Sequence, residues 1–277
     1  MTANGQRGRR SHAGRVAIVA GGSGGIGAAT VRAMLARGMQ VVVAALPDAH
    51  LDAFVADLAS YGERIRSIPT DITDRRQVDL LVARTLVAFA RIDVLANVAG
   101  IGSAPSFCDS SDAELERVVA VNLLGAARLM HAVLPVMRAQ RSGAIVNVGS
   151  IAGEAGVMGI YSASKFGLRG LTDSVRREVR QDGISVTLIE PGFVRTPMNA
   201  AMGDGLPGPE VVAAAIVAAI DRPRRARVVP AAYRLPVLAA KAFPGFVDLV
   251  FGDARIQRRL NRDARAARPS TVPEDAA

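Results

Sequence analysis

Tyr161 and Lys165 stand four residues apart in the run YSASK, a spacing that places both side chains on one face of a helix. Of the chain's 34 basic residues all but Lys165 and Lys241 are arginine, so this position keeps a compact ammonium where a guanidinium is the norm. The two cations differ in reach, hydration and pKa behaviour. A harmless surface pair is the other reading of so short a motif.

A second motif is AGGSGGIG at 20–27, between an apolar run and a helical pattern. Gly21, Gly25 and Gly27 allow a tight turn and a close backbone approach. With Ser23 and Ile26 they present the unpaired N–H groups of a helix start, a site for phosphate oxygens. With three residues between the first two of these glycines and one between the last two, the spacing differs from the commonest dinucleotide fingerprint. Asp71 and Ile72, in TDITD, follow a third apolar run, where an acid accepts from an adenine amino group or closes a turn. Asn97, Ala99 and Gly100, in NVAG, close a fourth run, where small residues let the backbone pass near a ribose or simply turn.

These motifs need elements to position them. RVAIVA, MQVVVAAL, IRSIPTDI, IDVLANVAG, GAIVNVGS and ISVTLIEPG read as buried strands. Helical patterns separate them: one after the glycine loop ending at Gly38, others near 49–61, 74–90 and 112–139, and one carrying YSASK to about 181. Alternating apolar strands and helices imply an α/β fold, a doubly wound parallel sheet, Rossmann-like, flanked by helices on both faces. Each motif falls at a strand's carboxyl end, where such sheets bind ligands. The expected organisation is a disordered basic tail over 1–14, a dinucleotide-binding and catalytic domain over 15–230, and an extension over 231–277, apolar and then arginine-rich.

Composition narrows the function classes. Half of the 277 residues are apolar and 4% aromatic, without Trp. Cys108 is the only cysteine and no histidine cluster has ligand spacing, so a reducing, cytoplasmic setting and a metal-free site are expected. The net charge of +9 sits in arginine runs at both ends of the chain and after Asp221, with no interleaved aromatics. These read as solvated tails, not a nucleic-acid surface. No stretch reaches the ~18 uninterrupted apolar residues of a membrane span, and Gly21 and Gly22 end the first apolar run too early for a signal peptide. The segment LPVLAAKAFPGFVDLVFG suits a lid, an oligomer contact or an interfacial helix, giving at most a peripheral membrane contact.

Taken in order, AGGSGGIG, NVAG, Asn122 in VNLLG, Ser150 in NVGSIAG, YSASK and PGFVRT resemble the single-domain short-chain dehydrogenase/reductase family over about residues 14–200. The resemblance implies an NAD(P)-dependent oxidoreductase interconverting a secondary alcohol and a ketone, acting on a small-molecule substrate as a homodimer or homotetramer; the alternatives are an inactive dinucleotide-binding regulatory protein and a membrane-associated reductase of lipid-like substrates. It implies that Tyr161 is the general acid or base and that Lys165 lowers the phenol's pKa and binds the nicotinamide ribose. Ser150 would donate to the substrate oxygen, Asn122 would hold a relay water, and Pro191, Gly192, Val194 and Thr196 would flank the carboxamide. The choice of NAD or NADP stays open, since Ala44, Ala45 and Leu46 supply neither the acid that binds ribose hydroxyls nor the base that binds a 2'-phosphate. Two departures stand out: Ala20 replaces the family's usual Thr, and Ser150 and Tyr161 are only eleven positions apart, closer than is usual. The glycine-rich connection either contracts away from the chemistry or displaces Ser150. Ile101, Phe107, Val157, Met158, Phe193, Met198 and Met202 are candidate pocket residues, and 197–208 a candidate lid or surface loop.

Overall fold

The first strand, β1 (Val16–Ala20), is buried at every position and shows how the fold is built. Side chains alternate across a strand, so Ala17 and Val19 join one apolar cluster and Ile18 and Ala20 the other. A strand that is apolar on both faces must have helices on both. The structure, a computed structural model, describes residues 12–103, 106–202 and 205–253. It has a seven-stranded parallel sheet of order β3-β2-β1-β4-β5-β6-β7, formed by β2 (Gln40–Ala45), β3 (Ile65–Pro69), β4 (Val94–Asn97), β5 (Gly143–Val148), β6 (Ile184–Pro191) and β7 (Ala226–Val229).

On one face lie α1 (Gly25–Leu35), α2 (Ala49–Asp57) and α8 (Glu210–Asp221), whose Met34, Phe54 and Ile216 pack in one cluster. On the other lie α3 (Arg75–Phe89), α5 (Ala126–Gln140) and α7 (Gly159–Glu178), which contribute Leu81, Met130 and Val175. The chain runs outward from β1 to β3, then crosses back to place β4 on the other side of β1. Ala20 is therefore paired with both Ala44 and Asn97. The reversal opens a crevice beyond the carboxyl ends of β1 and β4.

Several expectations change. The helix near 49–61 stops at Asp57, and tighter 3-10 turns follow over Ala59–Arg64. The helix near 112–139 is α4 (Asp112–Val119) and α5 joined by a π turn over Ala120–Gly125. The arginine run after Asp221 is no tail: it forms the turn into β7, a seventh strand, and Arg225 makes a two-pronged ion pair with Asp173. His12, assigned to a disordered tail, is 2% exposed, and its ring meets the Asp221 carboxylate at 3.2 Å. The rest of that tail, residues 1–11, and the final arginine-rich stretch lie outside the described residues. The apolar extension forms α9 (Arg234–Ala242) and α10 (Pro244–Phe251). The run Asp112–Gln140 is long and apolar enough to cross a membrane, but 44% of its most apolar window is buried within the fold.

Candidate active site

The glycine turn is held by its crowding. Gly21 has φ +74°, and a Cβ there would lie 2.7 Å from the Ala99 backbone. Gly27 packs its Cα onto the Gly21 carbonyl so closely that no side chain fits. These contacts draw the start of α1 against the end of β4, across the crevice. Gly24 precedes α1 with no side-chain cap, and the first turn carries no acid. The leading N–H groups of α1 are thus left for an external acceptor. A dinucleotide pyrophosphate fits this cradle by size and charge. Thr196, beyond β6, closes the ring, its methyl 3.2 Å from the Cβ position of Gly25.

Lys165 is 4% exposed and its Nζ donates to the Val148 carbonyl at 3.1 Å. The same Nζ lies 5.7 Å from the centre of the Tyr161 ring. Burial pulls the lysine down to about 8. The Tyr161 phenol is pushed up by burial, and the hydrogen bond with Ser150 opposes that rise. In the protein alone the hydrogen bond with Ser150 thus works against burial at the phenol. The short connection keeps the serine within hydrogen-bonding reach of the phenol. It winds into α6 (Ala152–Ala155), whose Ala152 N–H donates to the Ser150 hydroxyl at 3.1 Å.

Asn122 sits in the π turn, 1% exposed. Its amide clasps the Ile101 backbone, donating to the carbonyl at 2.9 Å and accepting from the N–H at 2.8 Å, and donates to Ser164 at 3.1 Å. Its Oδ1 is 3.2 Å from the Cβ position of Gly100, and Lys165 Nζ is 3.3 Å from it. Asn122, Gly100 and Lys165 thus meet at one point.

Other candidates fall elsewhere. The Asn97 side chain turns into the core, donating at 2.7 Å to Asn147, which donates at 2.8 Å to Thr172. It braces β4 against β5, and only its backbone faces the crevice end. Asp71 spends Oδ1 on the N–H and hydroxyl of Thr73, the turn role, while Asp74 caps α3. Ile72 and Val194 are 7% and 2% exposed, so their side chains belong to the core. Pro191 accepts from the Ile151 N–H at 3.0 Å, and Gly192 donates to Val229 at 2.8 Å with the Tyr233 ring against its Cα. Ser23 offers its carbonyl to His50 at 3.0 Å. Phe107, Met158 and Met198 are exposed apolar groups beside this end of the sheet. Met202 has no described side chain. Sequence reading missed Asn147, Thr172 and Ser164. Asn147 left a signal, as the one polar residue in the otherwise apolar strand β5.

A doubly wound sheet with a glycine cradle and a Ser150–Tyr161–Lys165 group at the carboxyl ends of its strands defines a nucleotide-dependent redox enzyme class. The family model described as short chain dehydrogenase matches residues 15–206, and the chain belongs to that family. It is 39% identical over 188 residues to the 3-alpha-(or 20-beta)-hydroxysteroid dehydrogenase of Mycobacterium tuberculosis, covering 67% of this chain and 71% of that one. Its fold superposes with a TM-score of 0.79 on a Burkholderia phymatum short chain dehydrogenase/reductase solved with NAD, at 25% identity over 86% of this chain and 96% of that one. An actinorhodin polyketide ketoreductase solved with NADPH gives 0.72, at 28% identity over 78% and 95%. The chain is an oxidoreductase acting on CH–OH groups with a nicotinamide dinucleotide as cofactor.

Proposed function

We propose that the chain interconverts a secondary alcohol and a ketone on a mid-sized apolar molecule, with Tyr161 as the proton-transfer group. The observation that carries this reading is the arrangement around Tyr161, with Ser150 bonded to its hydroxyl and the Lys165 ammonium over its ring. When bound, the nicotinamide ring supplies or accepts the hydride, and the chain supplies position and proton transfer. The N–H groups of Gly25, Ile26 and Gly27 would hold the pyrophosphate. Lys165 would hydrogen-bond a ribose hydroxyl, which would compensate the cost of burying its charge. In reduction the Tyr161 phenol gives its proton to the carbonyl oxygen as charge develops there, while the Ser150 hydroxyl donates to the same oxygen. In oxidation Tyr161 takes that proton back. Asn122 holds the loop at Ile101 and the lysine's surroundings in register, so that the lost proton is replaced through ordered water.

At the end of β2, Ala44, Ala45 and Leu46 supply neither an acid for the ribose hydroxyls nor a base for a 2'-phosphate. Discrimination between NAD and NADP is therefore weak, within about tenfold, or ~1.4 kcal/mol. The exposed rim of Phe107, Met158 and Met198 favours apolar substrates, and the chain acts as a homo-oligomer. The test is a panel of alcohols and ketones with each cofactor, followed at the nicotinamide absorbance. Wild type turns over at least one pair, and Tyr161→Phe lowers kcat by about a thousandfold or more, within reach of losing both proton transfer and its electrostatics. Full turnover by a folded Tyr161→Phe protein refutes the assignment.

A further inference from the structure

The chain's other lysine is also placed at a site of consequence. Lys241, on α9, meets Glu154 of α6, Nζ to Oε2 at 2.5 Å. Arg169, one turn beyond Lys165 on α7, meets the same Glu154 carboxylate and reaches Glu190 at the end of β6 at 2.6 Å. The Glu154 and Glu190 side chains are 3% and 4% exposed. Two buried carboxylates and two partly exposed cations make a balanced set, in which neither carboxylate is tolerable without a cation beside it. Its members come from four elements, and one of them is the connection between Ser150 and Tyr161.

That connection cannot hold itself. The helix α6 has four residues and no side-chain cap, too short to be stable alone. Yet it fixes Ser150, whose hydroxyl accepts from Ala152 and whose carbonyl accepts from Gly153 at 3.0 Å. Gly153 in turn packs closely on Lys165: a Cβ there would lie 3.0 Å from the lysine's backbone carbon and Cβ. We infer that Lys241 and Glu154 are positioning residues: the α9 lysine latches α6 from outside through the buried charge cluster and so holds Ser150 against Tyr161.

The inference rests on the proposed catalytic reading and deepens it. Its test compares wild type with Lys241→Met, Lys241→Arg and the double variant Lys241→Met/Glu154→Gln. Lys241→Met lowers kcat about tenfold, roughly the effect of weakening one transition-state hydrogen bond. The dissociation constant for NAD or NADP stays within about twofold, because the glycine cradle is untouched. Lys241→Arg recovers most of kcat. The double variant, with no unpaired charge, recovers thermal stability but not kcat. A merely structural cluster gives the opposite result, kcat returning with stability, and that overturns the latch. Hydrogen exchange at the amides of Ala152, Gly153 and Glu154 is a readout independent of turnover and accelerates in Lys241→Met. Unchanged exchange overturns the latch even if no substrate is found. A wild type that turns over nothing, with exchange accelerated as stated, sinks only the catalytic reading.

Discussion

Lys165 costs the fold stability. Its pKa falls from 10.5 to about 8 on burial, with one carbonyl as hydrogen-bond partner. A fall of that size corresponds to about 3 kcal/mol against the folded state. Between about pH 8 and 10.5 the unfolded chain binds this proton more readily than the folded one. Stability therefore rises with pH through that window, and the penalty is fully present below it. We predict that Lys165→Met abolishes turnover while stabilising the protein at pH 7 by about 2 kcal/mol, allowing about 1 for the bond lost at Val148. Denaturant melts at pH 7 and 10.5 check this, since the difference between variant and wild type shrinks at the higher pH. Ser150 behaves in the opposite way. Its hydrogen bond is what opposes the effect of burial on the Tyr161 phenol, so Ser150→Ala moves the rise of alcohol oxidation to higher pH. It also lowers kcat by about a hundredfold. An unmoved inflection in the pH–rate profile contradicts that role.

At the scale of elements, the π turn over Ala120–Gly125 explains why a polar Asn122 sits inside an apolar helical run. The periodicity of 112–139 is continuous in sequence, and one extra residue in a turn leaves no mark on a 3.6-residue pattern. The end of the π turn is tightly packed: a Cβ on Gly125 would come within 2.6 Å of Ile72 Cδ1. Gly125→Val should cost about 2–3 kcal/mol through overpacking and lower kcat by releasing the Asn122 clasp on Ile101. Ile72→Ala in the same chain should restore part of the stability, and thermal melts of the double-mutant cycle measure the coupling. Five of the six apolar strands were legible because nearly every position in them is buried, and β3, which leaves Arg66 and Pro69 exposed, was legible through Ile65 and Ile68. The seventh, β7, was not, because it is a four-residue edge strand flanked by arginines and shows burial only at Val229. Of the site, Tyr161, Lys165, Ser150 and Asn122 were legible by motif order. The inward turn of Asn97 was not, since it depends on Asn147, 50 residues away in sequence.

On the whole molecule, charge and apolar surface are distributed differently. Several arginines are tied within the chain: Arg138 to Glu178 and Asp182, Arg91 to Asp93, Arg225 to Asp173. Apolar surface does remain on the layer formed by α4, α5 and α7. Leu124 is 44% and Phe166 45% exposed, and much of the window in Asp112–Gln140 is not covered by the fold. Phe166 directly follows Lys165, and Leu124 lies two residues from Asn122, so whatever covers this layer also stiffens the backbone carrying the catalytic group. A second copy of the same layer is the self-complementary solution, since an isologous contact pairs each helix with its equivalent. Burying about 800 Å² on each copy would suffice for a stable pair. Light scattering of wild type should then give two or four times the 28.9 kDa of the chain. Phe166→Glu should bring the mass down to a single chain and raise exchange at the amides of the π turn. A wild type that stays monomeric at micromolar concentration and above leaves this apolar layer without the role argued for it.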